Sequence, residues 1–278
     1  MTLRIDAHHH LWRYSAEDYG WIGDHMPQIR RDFLPADLEA ALKSADIDGA
    51  VAVQARQTLE ETEWLLRLAS QHEAMRGVVG WAPIASPDFA ATLERLREHR
   101  KLKGLRHMVQ DEPDDAFLLR EDFDAGIGLL RDTGLVYDIL IFERHLPNAI
   151  QFVDLHPHQA FVLDHIGKPR IARGEMEPWA ANIRELARRE NVTCKLSGMV
   201  TEADWAGWSL DTLRPYAEVV LEAFGADRVM MGSDWPVCLL AASYVRWAST
   251  VEALVAALSQ SERESVLGGT AMRVYDLA

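Results

Sequence analysis

Three consecutive histidines close a short apolar run, Ile5-Asp6-Ala7-His8-His9-His10-Leu11-Trp12. Side chains alternate along a strand, so His8 and His10 share one face with Asp6, while His9 takes the other. Two neutral imidazoles on one wall suit a divalent metal, or hydrogen bonds to a small ligand. A solvated strand end is the plainer reading, but such clusters are uncommon away from functional sites. Asp234 follows another apolar run, in Arg228-Val-Met-Met-Gly-Ser-Asp-Trp-Pro236. Its carboxylate suits a metal ligand, a general base toward water, or a cap on a short helix starting near Pro236. A third run, Phe161-Val-Leu-Asp-His-Ile-Gly-Lys-Pro169, brings His165 and Lys168 to a strand end. The structural readings there are a core histidine bonded to backbone and a solvated loop lysine.

These residues need strands to carry them, and the chain supplies strands in a regular pattern. Apolar runs are expected as strands at Leu3–Ala7, Gly49–Val53, Gly77–Ala82, Leu102–Met108, Leu135–Leu140, Ala160–Leu163, Val192–Leu196 and Arg228–Met231. Amphipathic segments between them are expected as helices at Pro35–Ala45, Thr58–Ser70, Asp88–His99, Glu121–Thr133, Leu146–Leu155, Pro178–Glu190, Leu210–Phe224 and Ser243–Leu258. Alternation of strand and helix implies a parallel α/β sheet. Eight such units predict a closed (β/α)8 TIM barrel. An open doubly wound sheet would carry a glycine-rich phosphate turn after its first strand, where this chain has histidines. No low-complexity linker divides the sequence, so residues 1–278 are expected to form one domain. In a barrel, His8, His10, His165 and Asp234 all fall on the C-terminal rim, and strands one and eight are neighbours.

The 278 residues carry a formal charge of −14. That balance argues against nucleic acid and against an anionic membrane surface, both of which call for a basic face. Two cysteines, Cys194 and Cys238, form no CxxC pair and read as small buried hydrophobes. The opening MTLRIDAHHHLW has no apolar core of a signal peptide, and no run is long enough to span a bilayer. A cytoplasmic location is the resulting expectation, with the oligomeric state left open.

The segments DAHHHLW, LDHIGKP, CKLSG and GSDWP, in that order, resemble the amidohydrolase superfamily and its amidohydrolase-2 branch. Within that branch the chain is similar to lactone hydrolases, above all those acting on sugar-acid lactones such as L-fucono- or L-rhamnonolactone. The resemblance implies a (β/α)8 barrel that adds water to a polarised carbonyl. It carries His8 and His10 onto the family's strand-one pair, His165 onto its later histidine, and Asp234 onto its strand-eight aspartate. No histidine stands on the fifth strand, and the fourth offers no evident bridging carboxylate or lysine, so a binuclear site is not expected. A single metal, Zn or Mn, on His8, His10 and Asp234 is one expectation. Lactonases of this family also work without metal, so a metal-free site is the other.

The resulting expectation is a hydrolase of neutral sugar lactones, with Asp234, His165 and His10 catalytic. Asp234 would take a proton from water, and a neighbouring histidine or cation would hold the oxyanion. Arg106, His107, Asp138 and Lys168 are candidates for substrate hydroxyls and carbonyls, and Trp12 and Trp81 for the ring face. Gln54 and Arg56 follow the second strand as further rim positions, and Lys195 reads as a salt bridge inside the barrel. Two alternatives carry different chemistry. One is a metal-dependent decarboxylase, which needs cations such as Arg56, Arg106 and Lys168 for its carboxylates. The other is a non-catalytic sugar- or metal-binding barrel.

Overall fold

Small and β-branched residues dominate the apolar runs, and each run forms a strand in the computed structural model, which describes residues 3–277. Residues 1, 2 and 278 of the expected domain lie outside that range. The strands are β1 (Ile5–His9), β2 (Gly49–Val53), β3 (Met75–Gly80), β4 (Leu102–His107), β5 (Val136–Ile139), β6 (Phe161–Leu163), β7 (Val192–Leu196) and β8 (Val229–Met231). All pair in parallel, in the order β1 to β8. A parallel bridge between His9 and Trp235 joins the last strand to the first. There the His10 N–H donates to the Trp235 carbonyl at 2.6 Å, and the Asp234 N–H to the His8 carbonyl at 2.8 Å. The closure that makes the barrel therefore runs through the site residues themselves. Two strands are displaced from the expectation by two residues at each end: the first was expected two residues early, and the third, Met75–Gly80, two residues late.

The crossovers are α1 (Pro35–Ser44), α2 (Leu59–Gln71), α3 (Phe89–Arg97), α4 (Glu121–Gly128), α5 (Leu146–Leu155), α6 (Trp179–Leu186), α7 (Met199–Glu202), α8 (Leu210–Phe224) and α9 (Tyr244–Leu254). Ser209 caps α8, accepting from the Thr212 N–H. Asp88 precedes α3 but its side chain caps nothing. The helix expected to run to Thr133 stops at Gly128, where two glycines in three residues weaken it. Three segments were not anticipated: the short α7, and α10 (Gln260–Glu264) and α11 (Thr270–Val274), which flank a π-helical turn at Ser265–Gly269.

Core residues fall into two layers. Ile5, Ala7, Val51, Val53, Val79, Val136, Val162 and Met230 fill the barrel interior together with Ala271, Tyr275 and Leu277 from the C-terminal segment. That segment plugs the N-terminal mouth. A larger cluster seals the strands against the helices. Both cysteines are buried and free. Among the described residues no helix is long and apolar enough to cross a membrane.

The register shifts between Asp6 and His9 against β2. Such a bulge breaks the two-residue alternation and re-aims side chains. Asp6 accordingly does not join His8 and His10. It accepts from the Ser233 N–H at 2.7 Å, the Ser233 hydroxyl at 2.5 Å and the Tyr244 hydroxyl of α9 at 3.0 Å. It fastens the β8 turn to β1 from the helix side.

The long β1–α1 loop is tied down over β2. Glu61 of α2 accepts from the Ala55 and Arg56 N–H groups at 2.9 and 2.7 Å. Tyr19 of the loop reaches Glu61 at 3.4 Å, and Arg56 pairs with Asp18 at 2.6 Å. Burial pushes the Glu61 carboxyl up from its ordinary 4.5 to about 7, against those hydrogen bonds and Arg56. The folded chain thus keeps a proton that the unfolded chain releases between about pH 4.5 and 7. This group lowers stability as pH rises through that window and adds no further change above it. Glu61→Gln should therefore gain on the wild type between pH 4.5 and 7.5, by up to about 3 kcal/mol. Denaturant unfolding of both proteins at the two pH values measures the difference; an unchanged difference would refute the assignment.

Candidate active site

At the C-terminal end of the barrel a cavity of about 290 Å³ opens over His10, Arg106, His165 and Asp234. Its walls come from Trp21 and Met26 of the β1–α1 loop, Leu140 and Phe142 after β5, Lys168 after β6, and Thr201, Glu202 and Trp205 after β7. Asp234 Oδ1 is the meeting point on its floor. His10 Nε2 lies 3.2 Å away, His8 Nε2 3.8 Å and His165 Nε2 3.9 Å. Barrel closure explains the encounter of residues 224 positions apart, since β8 is fastened directly to β1.

Two sharp turns aim these groups. Asp234 adopts a left-handed backbone, φ 56°, and so do His165, Ile166 and Lys168, at φ 52°, 50° and 48°. Such a conformation costs on the order of 1–3 kcal/mol for a residue with a Cβ, and it is especially unusual for β-branched Ile166. The surroundings fix it. The Trp179 indole N–H donates to the Ile166 carbonyl at 2.7 Å, the Lys168 N–H to the His165 carbonyl at 2.9 Å, and His165 Nδ1 meets the Ser197 hydroxyl at 2.9 Å. Gly198, at φ +65°, lets β7 turn away beneath His165: a Cβ there would lie 2.7 Å from the imidazole. Gly232 does the same for His8, where a Cβ would stand 2.8 Å from the His8 Cβ. The CKLSG and GSDW segments are therefore packing solutions for two imidazoles. Asp234 caps no helix; the turn at Val237–Leu240 starts after Pro236 without a side-chain cap.

Below the floor lies a buried charge network. The Lys195 ammonium pairs with Asp138 at 2.5 Å and Asp164 at 2.9 Å. Asp164 also holds Arg106 at 2.9 Å, and Arg106 reaches the Gln54 side-chain oxygen at 2.9 Å. His8 Nδ1 sits between Lys195 Nζ at 3.2 Å and Asp164 Oδ1 at 3.3 Å. Burial would raise Asp164, but Lys195, His8 and Arg106 hold it well below the carboxylate range. Burial likewise opposes ionisation of Asp234, and His165, His10 and His8 overcome it to keep the carboxyl low. Burial drives His165 down to about 4, so its ring is neutral at pH 7.

The donor set fits a divalent cation. His10 Nδ1 lies 2.8 Å from the Val53 carbonyl, which can only accept, so Nδ1 carries a proton. The other nitrogen, when it carries no proton, turns a lone pair toward Asp234. Two acceptors at 3.2 Å require a proton or a cation between them. Ligand atoms around tetrahedral zinc stand about 3.3 Å apart. The His8, His10 and Asp234 atoms stand 3.2, 3.2 and 3.8 Å apart. A proton on His8 Nδ1, facing Asp164, leaves a lone pair on Nε2, which Arg106 Nη1 approaches at 3.4 Å, in the usual carboxylate–histidine arrangement. His8, Asp164 and His165 form a second possible cluster that shares His8.

Several expected contacts lie elsewhere. Trp12 is fully buried, donates to the Arg31 carbonyl and packs on Phe33, so it supports the β1–α1 loop and does not face the cavity. His107 follows Arg106 on β4 and therefore points to the opposite face. It accepts from Trp81 at 3.2 Å, meets Glu112 at 2.6 Å and stacks on Phe117, which removes both His107 and Trp81 from the site. Asp138 is under the floor, occupied by Lys195 and Tyr275. Arg56 is engaged by Asp18. His156 pairs with Asp124 at 2.8 Å and is largely buried, while His158 is exposed. Sequence reasoning assigned no role to Asp164, Ser197 or Glu202. A hydroxyl two residues past a buried strand lysine was the available signal for Ser197.

Compared with known proteins, residues 5–277 match the amidohydrolase family model. The chain is 46% identical to an L-fucono-1,5-lactonase of Burkholderia multivorans, over 99% of this chain and 97% of that one. It is 38% identical to an L-fucono-1,5-lactonase of Burkholderia ambifaria, over 99% and 96%. A solved amidohydrolase of Burkholderia multivorans with bound zinc superposes with a TM-score of 0.95 at 45% identity, covering 99% of this chain and all of that one.

Gly198→Ala should lower stability by about 1–3 kcal/mol through the left-handed backbone and displacement of His165. Gly128→Ala, at a helix position with nothing within 4 Å, should instead raise it by up to about 1 kcal/mol. Thermal unfolding compares the two, and equal effects would contradict the packing account of the CKLSG segment.

Proposed function

The chain belongs to the amidohydrolase family, and on that premise we propose that it opens small, uncharged sugar-acid lactones of the L-fucono-1,5-lactone kind, with Asp234 as the base. One observation carries the reading: a single ionised carboxylate meets three imidazoles on the floor of a cavity sized for one sugar ring. Relatives at 46% and 38% identity that bear the lactonase name support the substrate class.

The residues divide the work as follows. The lactone lies between the apolar wall of Trp21, Met26 and Phe142 and the polar floor, with its carbonyl carbon over Asp234. Asp234 orients water for attack on that carbon and receives its proton. The contacts that keep Asp234 ionised also lower its basicity, so orientation contributes more than proton affinity. Neutral His165, held through Nδ1 by Ser197, presents Nε2 to the same space and is placed to hydrogen-bond the developing oxyanion, while the proton received by Asp234 passes to the ring oxygen as the C–O bond breaks. His10, anchored on the Val53 carbonyl, fixes the carboxylate's direction. His8, His10 and Asp234 would hold a divalent metal, which when bound polarises the carbonyl and acidifies water.

The same geometry weighs against a carboxylate-rich substrate for decarboxylation. Arg106 is neutralised by Asp164 and Lys168 faces Glu202, while Asp111, Glu202 and Asp234 add negative charge to the lining. A neutral lactone meets no such repulsion.

A panel of sugar lactones with a pH indicator tests the assignment, run before and after chelation and after restoring zinc or manganese. Opening of an L-fucono- or L-rhamnono-lactone is expected. Loss on chelation with recovery on one metal would establish a metal-assisted route, and an unchanged rate would reject it. Asp234→Asn should cut kcat by about 10²–10⁴-fold with the fold kept, because asparagine tolerates the left-handed backbone. Full activity in that variant would remove Asp234 from the role of base.

A further inference from the structure

We propose that Glu202 and Lys168 together read adjacent hydroxyl groups of the bound ring, the carboxylate accepting one O–H and the ammonium donating to the neighbouring oxygen. The assignment rests on the lactonase reading and names the element that selects a hydroxylated ring.

Glu202 differs from the buried carboxylates Asp6, Glu61, Asp138 and Asp164 in lacking a hydrogen-bond donor from the chain. Asp6, Glu61, Asp138 and Asp164 are each held by at least two donors of the chain. Glu202, with its side chain only 23% exposed, faces a single partner, Lys168 Nζ at 3.9 Å. That separation is too long for a hydrogen bond. Among the described residues no other group donates to Glu202. A largely buried carboxylate without a hydrogen bond is costly, and burial accordingly raises the Glu202 carboxyl. Lys168 is just 17% exposed and sits 5.4 Å from the Phe142 ring, which leaves its ammonium facing the same space.

Both side chains line the cavity, yet neither bonds to Asp234, His165 or His10. They arrive on the segments that follow β6 and β7. Lys168 ends the left-handed turn that carries His165, and Glu202 ends α7, which begins after Gly198 beneath that imidazole. An acceptor and a donor side by side complement two neighbouring hydroxyls, each of which can both give and receive. A ring without hydroxyls leaves both charges unanswered.

The test compares wild type, Glu202→Ala, Glu202→Gln and Lys168→Met on L-fucono-1,5-lactone and on δ-valerolactone, which carries no hydroxyl. For Glu202→Ala and Lys168→Met, kcat/KM on the sugar lactone should fall about 10–100-fold, through KM more than kcat, as expected for lost charged hydrogen bonds. Glu202→Gln keeps the shape and one acceptor and should lose less. The preference for the sugar lactone over δ-valerolactone should shrink by the same factor, with thermal unfolding confirming that the variants fold. A loss carried by kcat, an equal loss on both lactones, or no loss overturns the assignment while the lactonase reading stands. A wild-type chain that opens no sugar lactone overturns both.

Discussion

A single buried ammonium is the constraint on which the rest of the polar interior depends. Lys195 is fully buried inside the barrel, and its charge would cost several kcal/mol there without compensation. Asp138 and Asp164 supply that compensation at 2.5 and 2.9 Å. Once fixed, Asp164 draws in Arg106 and faces His8, and Arg106 in turn reaches Gln54. Four strands are thus tied through charge on the barrel's inner side, beneath the imidazoles. Breaking one pair leaves the remaining charges stranded, whereas exposed pairs such as Arg188 with Glu185 contribute little.

Above this rigid layer the backbone is under strain, and the strain is local. His165, Ile166, Lys168 and Asp234 adopt conformations that most side chains avoid. Each of the two turns is held by contacts that have no other evident purpose: Trp179 on Ile166, Ser197 on His165, and Asp6 on Ser233. Glycines 198 and 232 provide the clearance. Stability is spent here on direction, since a carboxylate and three imidazoles within 4 Å must point at one another in a dry floor.

The barrel was legible because β-branched runs and helix-length amphipathic stretches alternate eight times. His8, His10, His165 and Asp234 were legible because strand ends on one rim converge whatever the loops do. Other features depend on relations that a linear pattern does not carry. Asp6 shares the parity of His8 and His10, but the register shift after it sends it to Ser233 and Tyr244. His107 stands beside Arg106 in sequence and points away from it in space. Trp12 carries a ring suited to sugars, but its indole is spent on the Arg31 carbonyl. Asp164 is one residue from His165 and was overshadowed by it, although it is the more connected of the two. The C-terminal helices are short and broken by a π-helical turn, so no long amphipathic period announces them.

That C-terminal segment reaches further than a lid on the barrel's lower mouth. The Tyr275 hydroxyl donates to Asp138, which holds Lys195, which adjoins His8. The order of synthesis is therefore the reverse of what the active rim requires. The histidines of β1 emerge well before residue 275, yet the layer beneath them is incomplete until that residue folds back under the barrel. A growing chain can pair its early strands while its most expensive buried charges are still unmatched. Without the turn that carries Tyr275, Asp138 keeps Lys195 but loses its hydroxyl donor, so the layer beneath His8 is complete only once the C-terminal segment has packed.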